Sequence, residues 1–204
     1  MGLMLFLPAG TLYYWQEWIY CGVLFIPLSF VVFYFFKYDP ELLERRMKMR
    51  EKEEKQKTIQ IVGIIIFFIG FLIPGLDYRY HWSNVPFLLV FAANAIVLAG
   101  YIFVFFVLRE NSYASRIIEV EKGQKVITTG PYAIVRHPMY LGVLLMYLFT
   151  PLALGSYWAL IFFLPLFPLL VSRLLNEEEV LLRELPGYKE YCQKTRYHLI
   201  PFIW

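Results

Sequence analysis

The chain has 204 residues, is 59% hydrophobic and 20% aromatic, and carries 17% charged residues, against about 25% in soluble domains. That balance excludes an ordinary water-soluble fold, and no polar stretch is long enough to bury a core of its own. The net charge of +3 is gathered in a few connections, so it marks one face of a membrane protein and calls for no nucleic-acid partner.

Residues 1–17 lack the basic start of a secretory signal and read as mature protein. Tyr13, Tyr14, Trp15 and Trp18 look like an interfacial aromatic belt. The first uncharged run is Trp18 to Phe36. Asp39-Pro40 then opens a helix, because Pro suits the first turn. Glu41 to Lys57 alternates both signs, most simply a solvated helix leaving the membrane. The second run is Thr58 to Leu76, followed by a short loop over 77–84 rich in Tyr, His and Trp, and the third is Val85 to Leu108. The connection 109–137 contains a turn at Glu121 to Gln124, then an extended stretch from Val126 to Gly130. Pro138 to Ser172 is 35 residues without an ionisable side chain other than tyrosine. Since about 20 residues span a bilayer, this run folds back on itself, with Pro151 and Leu154-Gly155-Ser156 as the turn. From Asn176 onward, Val180, Leu181, Leu185, Tyr188 and Tyr191 mark an amphipathic helix interrupted at Pro186-Gly187. Cys21 and Cys192 fall on opposite sides of this plan, with no metal-ligand spacing and no disulfide between them.

The basic residues test the plan independently. Of 19 Lys and Arg, eight lie between Lys37 and Lys57, five between Arg109 and Arg136, and five between Arg173 and Arg196, which leaves Arg79 alone elsewhere. Alternate connections are basic and the others nearly bare, as the positive-inside rule requires for five crossings. The expected fold is therefore an all-α integral membrane protein of one domain, residues 1–204. It has five transmembrane segments, the last two a short helical hairpin, and a cytoplasmic C-terminal amphipathic helix. Residues 1–109 supply the N-terminal helices and basic loop, and 110–204 the region with chemistry. The N-terminus is expected outside and the polar clusters at the cytoplasmic face.

Two clusters flank the terminal hairpin. Pro138 pushes His137 out of the helical region and starts the next helix, so Arg136 and His137 sit beside backbone N–H groups that favour an anion. Tyr132 precedes them and Tyr140 lies one turn in. After the hairpin, Arg173 and Glu177 share a helix face, while Glu178 points about 100° away. Carboxylates at a helix C-terminus are disfavoured, and a bound cation offsets that cost. With no histidine nearby for a metal, an organic cation fits better. Helix-start donors, acidic groups and aromatics together suit a zwitterionic nucleoside such as S-adenosylmethionine, although several other charged metabolites fit almost as well.

These residues also carry a resemblance. Gln124-Lys125-Val126-Ile127-Thr128-Thr129-Gly130-Pro131-Tyr132, Arg136-His137-Pro138-Met139-Tyr140, and Arg173 with Glu177, Glu178, Tyr188 and Tyr191 resemble the isoprenylcysteine carboxyl methyltransferase family, with phospholipid methyltransferases sharing much of the pattern. The likeness covers roughly 110–201, and Asp39 to Arg46 resembles prokaryotic members. It implies an integral membrane methyltransferase of a prokaryotic cytoplasmic membrane, using S-adenosylmethionine and releasing S-adenosylhomocysteine. By position, Gln124, Lys125, Val126 and Ile127 would line the adenosine. Tyr132, His137, Pro138, Met139 and Tyr140 would complete the cofactor pocket, and Glu177 would hold the cofactor from the opposite side. Glu178 would support the pocket as the second acidic position, and Arg173 would be the catalytic, substrate-side arginine. No metal is implied. Gln124 stands where eukaryotic members often have His, and the N-terminal half lacks a prenyl-cysteine signature. The acceptor is expected to be a lipophilic small molecule, lipid or lipidated peptide, methylated on a carboxylate or an amine. Two other readings stay open. One is an NADPH-dependent membrane reductase of steroid-reductase-like architecture, whose adenosine phosphate would need Arg183, Lys189, Lys194 or Arg196. The other is a non-catalytic membrane protein retaining the pocket. The lack of ionisable residues within the third span and the hairpin argues against transport.

Overall fold

The computed structural model describes residues 2–48 and 54–204, and among these it is all-helical with no strand. The elements are α1 (Gly2–Ala9), α2 (Trp15–Tyr38), α3 (Pro40–Met47), α4 (Glu54–Tyr80), α5 (Phe87–Glu110), a 3-10 turn (Gly130–Ala133), α6 (Pro138–Ala153), α7 (Trp158–Phe163), α8 (Leu166–Glu184) and α9 (Tyr188–Lys194). Among the described residues, four stretches are long and apolar enough to cross a membrane: Trp15–Tyr38, Gln56–Tyr80, Phe87–Glu110 and Trp158–Glu184. Their outward faces expose large apolar side chains such as Phe30, Phe33, Ile61, Ile64 and Phe91. Such a belt would aggregate in water and is at home in lipid, where these atoms stay solvated by acyl chains. The chain is an integral membrane protein.

The terminal hairpin differs from the expected short pair. Its first arm, α6, is a 16-residue apolar helix, about 24 Å long at 1.5 Å per residue. The second arm, α7 followed by α8, runs from Trp158 to Glu184 and is the long one. The turn falls at Leu154-Gly155-Ser156, with Gly155 left-handed at φ 75°, while Pro151 stays inside α6.

Close approaches set the packing. α5 lies along α6, and a Cβ on Gly142 would stand 2.5 Å from Val104 Cγ2 and 3.2 Å from the Gly100 carbonyl oxygen. Only paired small residues let two apolar helices come this near in lipid. α1 lies against α4 in the same way, since a Cβ on Gly75 would stand 2.4 Å from the Leu5 carbonyl oxygen. Leu5, Ala9, Tyr14, Phe71, Val97, Leu154 and Phe163 fill the core between these helices.

The N-terminal third holds one unexpected element and corrects two expectations. Residues 2–9 form a packed helix that no periodicity announced. Tyr14 is fully buried rather than interfacial, its hydroxyl donating to the Leu154 carbonyl. The segment after Asp39 is not a solvated helix over its described part. Asp39 caps α3 by accepting from the Leu42 N–H at 3.1 Å, as the Asp-Pro pair predicts. Leu42 is buried against Phe35 and Leu108. Arg45 donates to Glu121 at 2.8 Å and to the Ser112 carbonyl at 3.0 Å, and Lys48 pairs with Glu121 at 2.9 Å and with Glu119. Opposite charges thus clasp α3 over residues 111–121. Residues 49–53 of the expected charged helix lie outside the described residues.

The two ends of the bundle are chemically distinct. At one end Asp77, buried, accepts from the Ser83 N–H at 2.7 Å and from the hydroxyls of Ser83 and Ser156, which ties α4 to the hairpin turn. The other end gathers α3, the 111–137 connection, the start of α6, the end of α8 and α9. Val126–Gly130 forms no strand there. A parallel bridge instead joins Val135 to Tyr197, with the N–H groups of Arg136 and His137 donating to the carbonyls of Tyr197 and His198, each at 2.9 Å.

Candidate functional site

A cavity of about 700 Å³ opens at this second end and runs down between α4, α6 and α8. Its upper wall comes from the 111–137 connection and α9, its lower wall from apolar side chains that include Ile64, Phe67, Val143, Leu166 and Leu170. The size suits a ligand larger than a single nucleoside, since small-molecule sites run from about 300 to 1,000 Å³.

The two sequence clusters meet on its wall. The Tyr140 hydroxyl donates to Glu177 Oε2 at 2.5 Å and accepts from Arg173 Nε at 3.1 Å. One phenol therefore bridges α6 and α8 and fixes the acid and the base relative to each other. Tyr140 can do so because Pro138 starts α6 within one turn of it. Arg173 and Glu177 share a face because they are four residues apart on α8. Arg173 is held further by Gln56 Oε1 at 3.1 Å and by the Arg116 carbonyl at 2.5 Å.

Of the sequence-predicted residues, Gln124, Lys125, Val126 and Ile127 line the cavity together beside Leu181, Leu185 and Tyr188. Tyr132, His137, Pro138, Met139 and Tyr140 line it from the α6 side, and Arg173 and Glu177 from α8. The Gln124 side chain turns back, its carbonyl oxygen accepting from the Glu121 N–H at 2.9 Å, so it braces the expected turn. Tyr132 accepts from Asn111 at 3.0 Å, and burial pushes its hydroxyl up to about 12, which keeps it protonated. Burial likewise lowers His137 to about 4, so the ring is neutral at pH 7.

Glu178 is the exception, for it does not line the cavity. It lies behind the wall, paired with Arg136 and with His198 Nδ1, the latter at 2.8 Å. The 100° step between neighbours on a helix sends Glu177 into the cavity and Glu178 away from it. With side-chain exposures of 8% for Glu178 and 10% for Arg136, the pair is nearly dry and anchors the C-terminal stretch to the α6 start. The cations that an NADPH-type phosphate was expected to find in the tail, Arg183, Lys189, Lys194 and Arg196, are absent from the cavity wall.

Three wall or near-wall residues escaped sequence reasoning. Arg46 reaches the cavity from α3, with Nη1 donating to the Ser115 carbonyl at 3.2 Å and lying 3.7 Å from Met139 Sδ. Gln56, fully buried, accepts from Arg173. Asn111 positions Tyr132. Each acts across a large sequence separation, and nothing local distinguishes Arg46 from the charged residues around it.

A cationic, nucleoside-bearing ligand can be tested against groups left unsatisfied. Among the described residues, three that line the cavity carry a buried polar atom with no hydrogen-bond partner: Arg136 Nε, His137 Nε2 and the Tyr188 hydroxyl. Buried polar groups are ordinarily paired, so three orphans on one cavity wall are compatible with a polar ligand. With the Glu177 carboxylate for a positive centre and the apolar strip at Val126, Ile127 and Leu181 for a flat ring, the residues present fit S-adenosylmethionine.

Comparison with known proteins bears on the same region. The family model for phospholipid methyltransferases matches residues 88–187. A delta(14)-sterol reductase of Mus musculus is 33% identical over 90 residues, 43% of this chain and 22% of that protein. The chain thus matches about a fifth of the length of this relative.

Proposed function

Because this chain belongs to the isoprenylcysteine/phospholipid methyltransferase family through residues 88–187, we propose that it is a membrane methyltransferase that moves a methyl group from S-adenosylmethionine to a lipophilic acceptor. The observation that carries the proposal is the Tyr140 bridge between Glu177 and Arg173 on the wall of a cavity that is polar at one end and apolar within the bundle. S-Adenosylmethionine supplies, when bound, an electrophilic methyl group on a sulfonium.

The chain's own residues divide the work. Glu177, oriented by Tyr140, offsets the positive charge of the cofactor. Gln124 to Ile127, with Tyr188, hold the adenosine, and His137 and Tyr132 close the pocket. Arg173, fixed by Tyr140, Gln56 and the Arg116 carbonyl, aims the acceptor. The apolar wall takes the acceptor's tail, entering from lipid between helices, and excludes water. Rate acceleration comes from alignment and from this exclusion. A carboxylate acceptor needs no general base. An amine needs one, and His137, held near 4 by burial, is a weak acceptor for an ammonium proton. The polar end, at the basic connections, is proposed to face the cytoplasm with the N-terminus outside.

The similarity to the sterol reductase favours one second reading, an NADPH-dependent reduction in the same cavity. The test is to incubate membranes carrying the protein with methyl-labelled S-adenosylmethionine and to extract labelled lipid. Label transfer that disappears in Arg173→Ala, whose S-adenosylhomocysteine affinity is retained, supports the methyltransferase. NADPH binding with no binding of S-adenosylhomocysteine overturns it.

A further inference from the structure

The matched segment supplies one arginine, Arg173, for the acceptor side of the cavity. A second arginine, Arg46, lines the same wall from α3. Arg136 lines it too but is paired behind the wall with Glu178. Among the described residues no carboxylate lies within ion-pair distance of Arg46, which donates to the Ser115 carbonyl and lies beside the Met139 thioether. Burial lowers its pKa, with Arg173 and Arg116 pushing the same way. A guanidinium kept partly out of water beside two others is costly unless an anion completes the site, and its planar fork suits an oxyanion.

The way Arg46 is delivered supports a purpose. α3 is capped by Asp39, seated by Leu42 and clasped by Arg45 and Lys48 onto residues 111–121. This device holds Arg46 on the cavity wall beside Met139. We propose that Arg46 is a specificity residue that anchors an oxyanion, carboxylate or phosphate, borne on the lipophilic acceptor. The inference rests on the methyltransferase reading and adds the acceptor's charge. The oxyanion has two possible sources: the nucleophile itself, if a carboxylate is methylated, or a phosphodiester beside it, if a phospholipid headgroup is.

The experiment uses the purified full chain in neutral detergent, saturated with S-adenosylhomocysteine, and measures binding of four probes with one tail: dodecanoate, dodecyl phosphate, dodecylammonium and dodecanol. The expected result is that an oxyanion probe binds at least about tenfold more tightly than dodecylammonium or dodecanol. Arg46→Gln should erase that preference while leaving S-adenosylhomocysteine affinity within about threefold, a span of under 1 kcal/mol. Arg46→Lys, which keeps the charge but loses the fork, should retain part of the preference, and it decides the matter if Arg46→Gln does not fold. Stronger binding of dodecanoate identifies a carboxylate nucleophile, and stronger binding of dodecyl phosphate a neighbouring phosphodiester. Wild-type protein that binds S-adenosylhomocysteine yet shows no oxyanion preference overturns this inference alone. Loss of S-adenosylhomocysteine binding in Arg46→Gln, with the oxyanion preference intact, would assign Arg46 to the cofactor's own carboxylate and also overturn it. Wild-type protein that binds no S-adenosylhomocysteine removes the reading beneath it.

Discussion

Replacing Glu178 by alanine separates holding the pocket from lining it. The carboxylate is nearly dry and faces Arg136, itself 10% exposed, with His198 Nδ1 2.8 Å from its other oxygen. Removing it leaves a buried guanidinium without its counter-charge. Truncating one member of such a pair costs about 3 to 5 kcal/mol, chiefly the desolvation of the survivor. For a chain of this length each kcal/mol lowers the melting temperature by roughly 2 to 4 °C, so the variant should melt roughly 6 to 20 °C below wild type. Glu178 does not reach the cavity wall, so S-adenosylhomocysteine affinity, measured well below that melting temperature, should stay within about threefold of wild type. Thermal unfolding in micelles and calorimetric titration give the two numbers. A variant that melts with wild type but no longer binds would refute the reasoning and return Glu178 to the ligand's side.

Acidification should destabilise the protein through His137. Burial lowers its pKa from 6.5 to about 4, so between those values the unfolded chain binds a proton that the folded chain does not, and stability falls as pH drops through this window. At about 1.4 kcal/mol per pH unit the loss reaches roughly 2 kcal/mol at pH 5. The fall in melting temperature between pH 7 and pH 5 should be smaller in His137→Gln, and an equal fall would remove the assignment. Gly75→Ala places its Cβ 2.4 Å from the Leu5 carbonyl oxygen, a backbone atom that cannot step aside, and should cost about 1 to 3 kcal/mol in unfolding experiments. Gly63→Ala on the same helix meets nothing within 4 Å and should be neutral or stabilising by up to about 1 kcal/mol; equal losses at both positions would contradict the close α1–α4 packing.

Local pattern carried much of this fold and site. The uncharged runs gave the long apolar helices, since composition alone decides what tolerates lipid. The His-Pro step gave the start of α6, and the four-residue spacing put Arg173 with Glu177. The 100° step also separated Glu177 from Glu178, although both were assigned to the cofactor. What escaped depends on distant partners. α1 is short, contains Pro8 and packs against α4 because Gly75 leaves it room. Tyr14 is buried because the hairpin turn offers it the Leu154 carbonyl 140 residues away. Arg46 and its neighbours looked like a wetted charged face, because the carboxylates that clasp α3 lie more than seventy residues further along the chain.

The central claim is that Glu177, set by Tyr140, faces a methyl-donor chamber at the polar end of the bundle. Calorimetric titration of S-adenosylhomocysteine into wild type and Glu177→Ala at pH 7 tests it most directly. Wild type should bind with micromolar affinity, and Glu177→Ala should show no binding while its thermal unfolding remains cooperative. Equal affinity in the two proteins would contradict the account.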